Sequence, residues 1–150
     1  MSSRKIIVSL FLLGLISLSC KNNVTDPDFS YIKDPYMRWK AYGFQHYSIE
    51  QHPVCFCGLR PANVFVKDGI IIDVIRVSDS TSLSPSERSQ FKTIDELFAL
   101  IKNIHPESIA IFSVSYDSMF GYPTEIWVDP DAGVADEEYG YRNEKLVKRD

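Results

Sequence analysis

The chain has 150 residues, 45% hydrophobic and 13% aromatic, with 16 basic against 20 acidic side chains and a formal net charge of −4. That length and aromatic content fit one folded domain and exclude a disordered chain. The acidic balance excludes the basic stripe of a nucleic-acid binder and electrostatic docking on anionic lipid head groups.

Arg4 and Lys5 precede an apolar run from Ile6 to Ile16, and Ser17-Leu18-Ser19-Cys20 follows. A charged n-region, a short h-region and small residues before a cysteine form an export signal. The run is too short for a membrane-spanning helix, which needs roughly 20 apolar residues. Its end resembles the lipobox of bacterial lipoproteins, with Ser17 where that pattern usually has Leu. The resemblance implies that residues 1–19 are removed, that Cys20 is diacylated and becomes the mature N-terminus, and that the protein is lipid-anchored in the bacterial cell envelope. Lys21 stands where Asp would favour inner-membrane retention in enteric bacteria, which points to the outer membrane rather than the inner. Cleavage takes Arg4 and Lys5 with it and leaves 14 basic against 20 acidic residues, so attachment must come from the acyl chains.

Residues 20–34 read as a tether, polar and broken at Asp26-Pro27 and Asp34-Pro35. Its Asn23-Val24-Thr25 sequon is a chance match in that setting. From Lys21 to Asp34 it reaches about 45 Å at ~3.3 Å per residue. A single domain is expected over 35–150. It opens with a short helix from Pro35 to Tyr42, with Asp34 as N-cap, Pro35 at the first helical position and Gly43 just past the end.

His46 to His52 alternates with period two, placing Tyr47, Ile49 and Gln51 on one face and His46, Ser48, Glu50 and His52 on the other. Val64–Lys67 and Ile70–Val77 are β-branched runs joined by Asp68-Gly69, a strong hairpin signal. Ser78 to Lys92 holds six serines and one proline and reads as a mobile or functional loop. A second helix starts at the capping box Thr93/Glu96 and runs Ile94, Leu97, Phe98, Ile101 and Ile104 along one apolar face until Pro106 stops it. Strands follow at about Ile109–Tyr116, Thr124–Val128 and Glu138–Val147.

Helix, three strands, helix, three strands is a weak tandem αβββ repeat. Tight turns make neighbouring strands antiparallel. Alternating strands want one covered face. The expected fold is therefore α+β, two-layered, with an antiparallel sheet of about six strands and two helices on one face. Its architecture is similar to PepSY-like and beta-lactamase-inhibitor-like domains, by fold analogy that carries no function.

Several of these segments also resemble a known group. Cys55-Phe56-Cys57, Val64 to Gly69, Thr93-Ile94-Asp95-Glu96-Leu97-Phe98, Val114-Ser115-Tyr116-Asp117, Gly121-Tyr122-Pro123 and Asp136-Glu137-Glu138 stand in the order and spacing of domain-of-unknown-function family 6174. The resemblance covers roughly residues 38 to 144. It implies secreted bacterial proteins or lipoproteins, and it brings no catalytic residues.

No nucleophile motif, phosphate-binding glycine loop or zinc-protease motif is present. No cofactor is expected, and the expected function is a binding or interaction module for an envelope protein or small ligand. Once Cys20 is lipidated, Cys55 and Cys57 stand alone in an oxidising compartment and suggest a disulfide. That bridge closes a very small loop and reads either as a structural clip or as a redox-labile switch. The clip is preferred, because no redox-fold pattern surrounds the pair. The alternative function is a redox or metal-handling envelope protein, with His52 joining Cys55 and Cys57 as soft-metal ligands. In the acidic loop, Asp129, Asp131 and Asp136 invite calcium, but Gly133 comes one position early for an EF-hand and no helix flanks the loop. An enzyme with a site assembled from the acidic loops is a third, weaker reading.

Alternation makes one further assignment. If Ile126 and Val128 face the helices, Trp127 faces the other way, and Phe65 opposes Val64 and Val66 in the same manner. Phe65 and Trp127 are the expected anchors for a partner on an uncovered sheet face. The competing reading is that residues 78–92 or the end of the chain fold over them.

Overall fold

A computed structural model describes residues 27–56 and 58–149. The expected export signal, the expected lipidation site Cys20, and Cys57 lie outside the described residues.

Helix α1 spans Pro35–Tyr42. The Asp34 side chain accepts from the Met37 amide at 2.7 Å, and Gly43 closes the helix in the left-handed conformation (φ 61°). Strands β1 (His46–Val54), β2 (Ala62–Lys67) and β3 (Ile70–Arg76) follow as an antiparallel meander. A four-residue helix α2 (Pro85–Arg88) and helix α3 (Ile94–Asn103) come next, then a 3-10 turn at Pro106–Ser108. Strands β4 (Ile111–Tyr116), β5 (Pro123–Asp129) and β6 (Tyr139–Lys148) complete one six-stranded antiparallel sheet in the order β3-β2-β1-β6-β5-β4. The architecture is α+β, as the alternation implied. A dyad between the two halves would set a strand beside its own counterpart, β1 beside β4 or β3 beside β6. Instead β1 pairs with β6, so this strand order gives the sequence echo no two-fold relation.

One face of the sheet is apolar and carries the helices. Tyr47, Ile49, Val64, Val66, Val74, Ile126 and Val128 form its floor, and Ile94, Leu97 and Phe98 of α3 close it from above. Burying each such side chain is worth about 1.5–3 kcal/mol. Trp39 of α1 stands edge-on to Tyr47 at 5.4 Å and donates to Asp95 of α3 at 3.3 Å, so both helices share that face. The Tyr47 hydroxyl accepts from the Ile94 amide at 2.9 Å, and burial pushes its pKa well above the ordinary tyrosine value.

Two departures from the sequence reading matter for the site. Residues 78–92 are not a free loop. Ser84 and Glu87 make a capping box for α2, Leu83 and Phe91 are buried in the core, and Ser82 bridges Ile75 at the β3 edge. Lys92 and Gln51 clasp each other, with the Lys92 amide donating to Oε1 at 2.8 Å and Nε2 donating to the Lys92 carbonyl at 3.1 Å. Gln51 also donates to Asn143 at 2.9 Å, Asn143 to the Pro123 carbonyl at 2.8 Å, and the Tyr141 hydroxyl to the Gln90 carbonyl at 3.1 Å. Gln51, Tyr141 and Asn143 all point to the helix side, so the segment they hold lies there too. The second departure concerns the tether. Its described part docks on α1: the Phe29 amide donates to the Tyr42 hydroxyl at 3.1 Å, the two rings meet edge-on at 5.1 Å, and Arg38 donates to the Ile32 carbonyl at 2.7 Å.

Candidate binding face

The face away from the helices is built by the alternate residues. From β1 come Ser48, Glu50 and His52; from β2, Asn63 and Phe65; from β5, Glu125 and Trp127; from β6, Gly140, Arg142 and Glu144. The register sets each beside its neighbour: Phe65 opposite Ser48, His52 opposite Arg142, Glu125 opposite Arg142, and Trp127 opposite both Ser113 and Gly140. Phe65 and Trp127 are each half-buried.

The register also separates the two aromatics. Phe65 lines up with Ser48 of β1, whereas Trp127 lines up through Gly140 with Val54. Six residues along β1 and three strand spacings across put them roughly 25 Å apart, at ~3.3 Å per residue and ~4.8 Å per strand. They are two aromatics at opposite corners, not one patch. At the Phe65 corner the chain's end folds over the ring. The Arg149 guanidinium lies 5.4 Å from the Phe65 centroid, and its Nε donates to the Ser48 hydroxyl at 3.0 Å.

Between the corners lies a hollow of about 540 Å³, lined by Glu50, His52, Glu125, Arg142 and Glu144. Glu50 and Glu144 face each other across β1 and β6, a like-charge pairing that costs stability unless a cation sits between them. Lys145 supplies it. Its ammonium donates to Glu50 at 2.8 Å and lies 3.7 Å from Glu144. The hydrogen bond to Glu50 holds the Lys145 pKa above its ordinary value. Lys145 reaches this position through a left-handed backbone (φ 57°), a conformation that carries strain for a residue with a Cβ. Arg142 donates to Glu125 at 3.0 Å. Three carboxylates face two cations, so the hollow suits an incoming cationic or hydrogen-bond-donating group better than a phosphate or carboxylate.

Residues 32–148 match the model of a family of unknown function, DUF6174. The chain belongs to that family. No curated protein and no solved structure matches the chain. Membership of DUF6174 agrees with the resemblance carried by the scattered motifs, whereas the likeness to PepSY-like domains stays an analogy of layers.

The other candidate residues of this DUF6174 chain are scattered. His52 lies on the open face, and Cys55 is exposed just after β1. Asp129 is buried at the end of β5, and its Oδ1 has no hydrogen-bond partner among the described residues. Asp131 is exposed and accepts from the Gly133 amide at 2.9 Å, folding its carboxylate into its own turn. Asp136 is exposed, with a positive φ of 69°. Among the described residues, no group of three or more His, Cys, Asp or Glu side chains is placed to hold a metal ion. Sequence reading missed Glu125, Arg142, Glu144 and Lys145. The alternation on β6 hinted at outward charges, but only the register brings them to Glu50.

Proposed function

We propose that this protein is a lipid-anchored binding module of the bacterial cell envelope. It is held at the membrane through Cys20 and receives an envelope partner on the open sheet face. The observation that carries this reading is that the segment able to cover the face, residues 78–92, is pinned on the helix side by Gln51 and Tyr141. Trp127 and the charged hollow are thereby left to solvent or to a partner. Trp and Arg are enriched at interface centres, and Trp127 and Arg142 both lie on this face. A basic segment of a partner chain fits the carboxylate excess, with an apolar side chain seated against Trp127.

The experiment places a photoreactive amino acid at position 127 of the full chain in living cells, with Asn103 on the helix side as control. A discrete adduct from 127 alone, lost when Cys20→Ala releases the protein from membranes, is the expected result. Equal labelling from both positions, or a Cys20→Ala protein that stays membrane-bound after washing, overturns the reading.

A further inference from the structure

We propose that the outer edge of β4 is the docking edge for a second copy of this chain, pairing antiparallel with the same strand about a two-fold axis near Ser113. β4 ends the sheet. The Ala110 amide donates to the Pro130 carbonyl at 3.3 Å, which sets the phase of the ladder. Bonded pairs then fall at Phe112–Val128 and Val114–Ile126. The N–H and C=O groups of Ile111, Ser113 and Ser115 point the other way, and no strand among the described residues meets them. An edge of this kind is a template for another strand.

The opposite edge is covered from Ile72 to Arg76, where the Arg88 guanidinium donates to the Ile72 carbonyl at 3.5 Å. Ser82 bridges Ile75, the Leu83 amide donates to the Val74 carbonyl at 2.9 Å, and the Arg76 amide donates to the Thr81 carbonyl at 2.8 Å. A head-to-tail array needs two open edges, so pairing between copies is left with β4 against β4, an isologous and closed contact. The β4 sequence suits it. Ile-Phe-Ser-Val-Ser-Tyr holds no charge and no proline, the usual guards of an exposed edge. A net acidic chain can approach a copy of itself along such a neutral strip. With Ser113 on the axis, Ile111 meets Ser115 of the other copy and Phe112 meets its Val114. Core-facing residues then oppose core-facing residues, as register requires.

The helix layer continues the same strip. Ile101 of α3 shares a cleft with Tyr116 of β4, and Leu100, Ile101, Ile104 and Ile109 are only partly buried against the core. A second copy would extend both layers at once. The strip is ~20 Å long at ~3.4 Å per residue, and so short a contact makes association reversible.

Light scattering on the full chain in a mild detergent, with protein mass separated from detergent mass, tests this. The expected result is a protein mass that rises with concentration towards twice the monomer. Ser113→Pro removes only an outward N–H and should hold the mass at the monomer with unchanged circular dichroism, as should Ile111→Lys. A wild-type chain that stays monomeric throughout overturns the proposal, including the case where a foreign strand is the natural occupant. So does a folded variant that dimerises like wild type. If Ser113→Pro fails to fold, Ile111→Lys decides the matter alone.

Discussion

Replacing Gln51 by Leu tests whether the buried amides hold the structure together. Gln51 is fully buried and Asn143 is 3% exposed. The substitution keeps nearly the same volume, so the cavity contribution is small. It removes three hydrogen bonds: one from the Lys92 amide, one to the Lys92 carbonyl and one to Asn143. At a net ~1 kcal/mol each, the loss is about 3 kcal/mol, a large part of the 5–15 kcal/mol typical of a domain. Urea unfolding followed by circular dichroism measures it, with the midpoint falling at unchanged slope. Asn143→Leu alone should cost less, and the double variant should be milder than the sum, because the pair shares a bond. A Gln51→Leu loss below about 1 kcal/mol refutes the reasoning, since amides this well paired contribute at least that much.

Trp127→Ala should cost about 2 kcal/mol, roughly half of a fully buried aromatic, while abolishing partner binding on that face. A loss of 4 kcal/mol or more, on the scale of core truncations, places Trp127 in the core. Gly140→Ala should destabilise strongly in the same urea assay, because its Cβ would collide with the Ile126 carbonyl oxygen; a neutral variant contradicts the β5–β6 register. Asp79 is held down to about 2 by Thr81 and then Arg76, and Asp73 and Glu87 are also lowered. Depressed carboxylates stabilise above their unfolded values near 4 and lose that contribution as pH falls through the folded ones, so an NMR titration of Asp79 should show its midpoint near 2, and a midpoint near 4 contradicts the pairing. Mass spectrometry without reduction should find no alkylatable thiol at Cys55 or Cys57; two such thiols would remove the disulfide reading.

Much of the frame was legible because its signals are local. Asp34 and Gly43 bracket α1, Thr93 and Glu96 start α3, and the alternation from His46 to Gln51 assigns the faces of β1. Residues 78–92 misled because serine content outweighed a readable signal. Ser84-Pro85-Ser86-Glu87 is itself a capping box with proline at the first helical position. Phe65 and Trp127 face outward as alternation requires, yet nothing local tells that three strands and six residues separate them. The Glu50–Lys145–Glu144 cluster was illegible for the same reason. It depends on β1 pairing with β6 and on an irregular register between them, and neither is written in either strand alone.

The pairing of first strand with last has a kinetic consequence. Glu50 and Glu144 are partners at a sequence separation of 94, and they sit in the middle of the sheet rather than at its rim. Each meander can form from near neighbours, but the seam that joins them needs the ten residues of β6. Such long-range closure is slow, since the loop entropy is lost before the contacts repay it. A chain made from its N-terminus therefore cannot lock its fold until β6 has emerged. The late seam makes β6 the step that commits the chain to the native state.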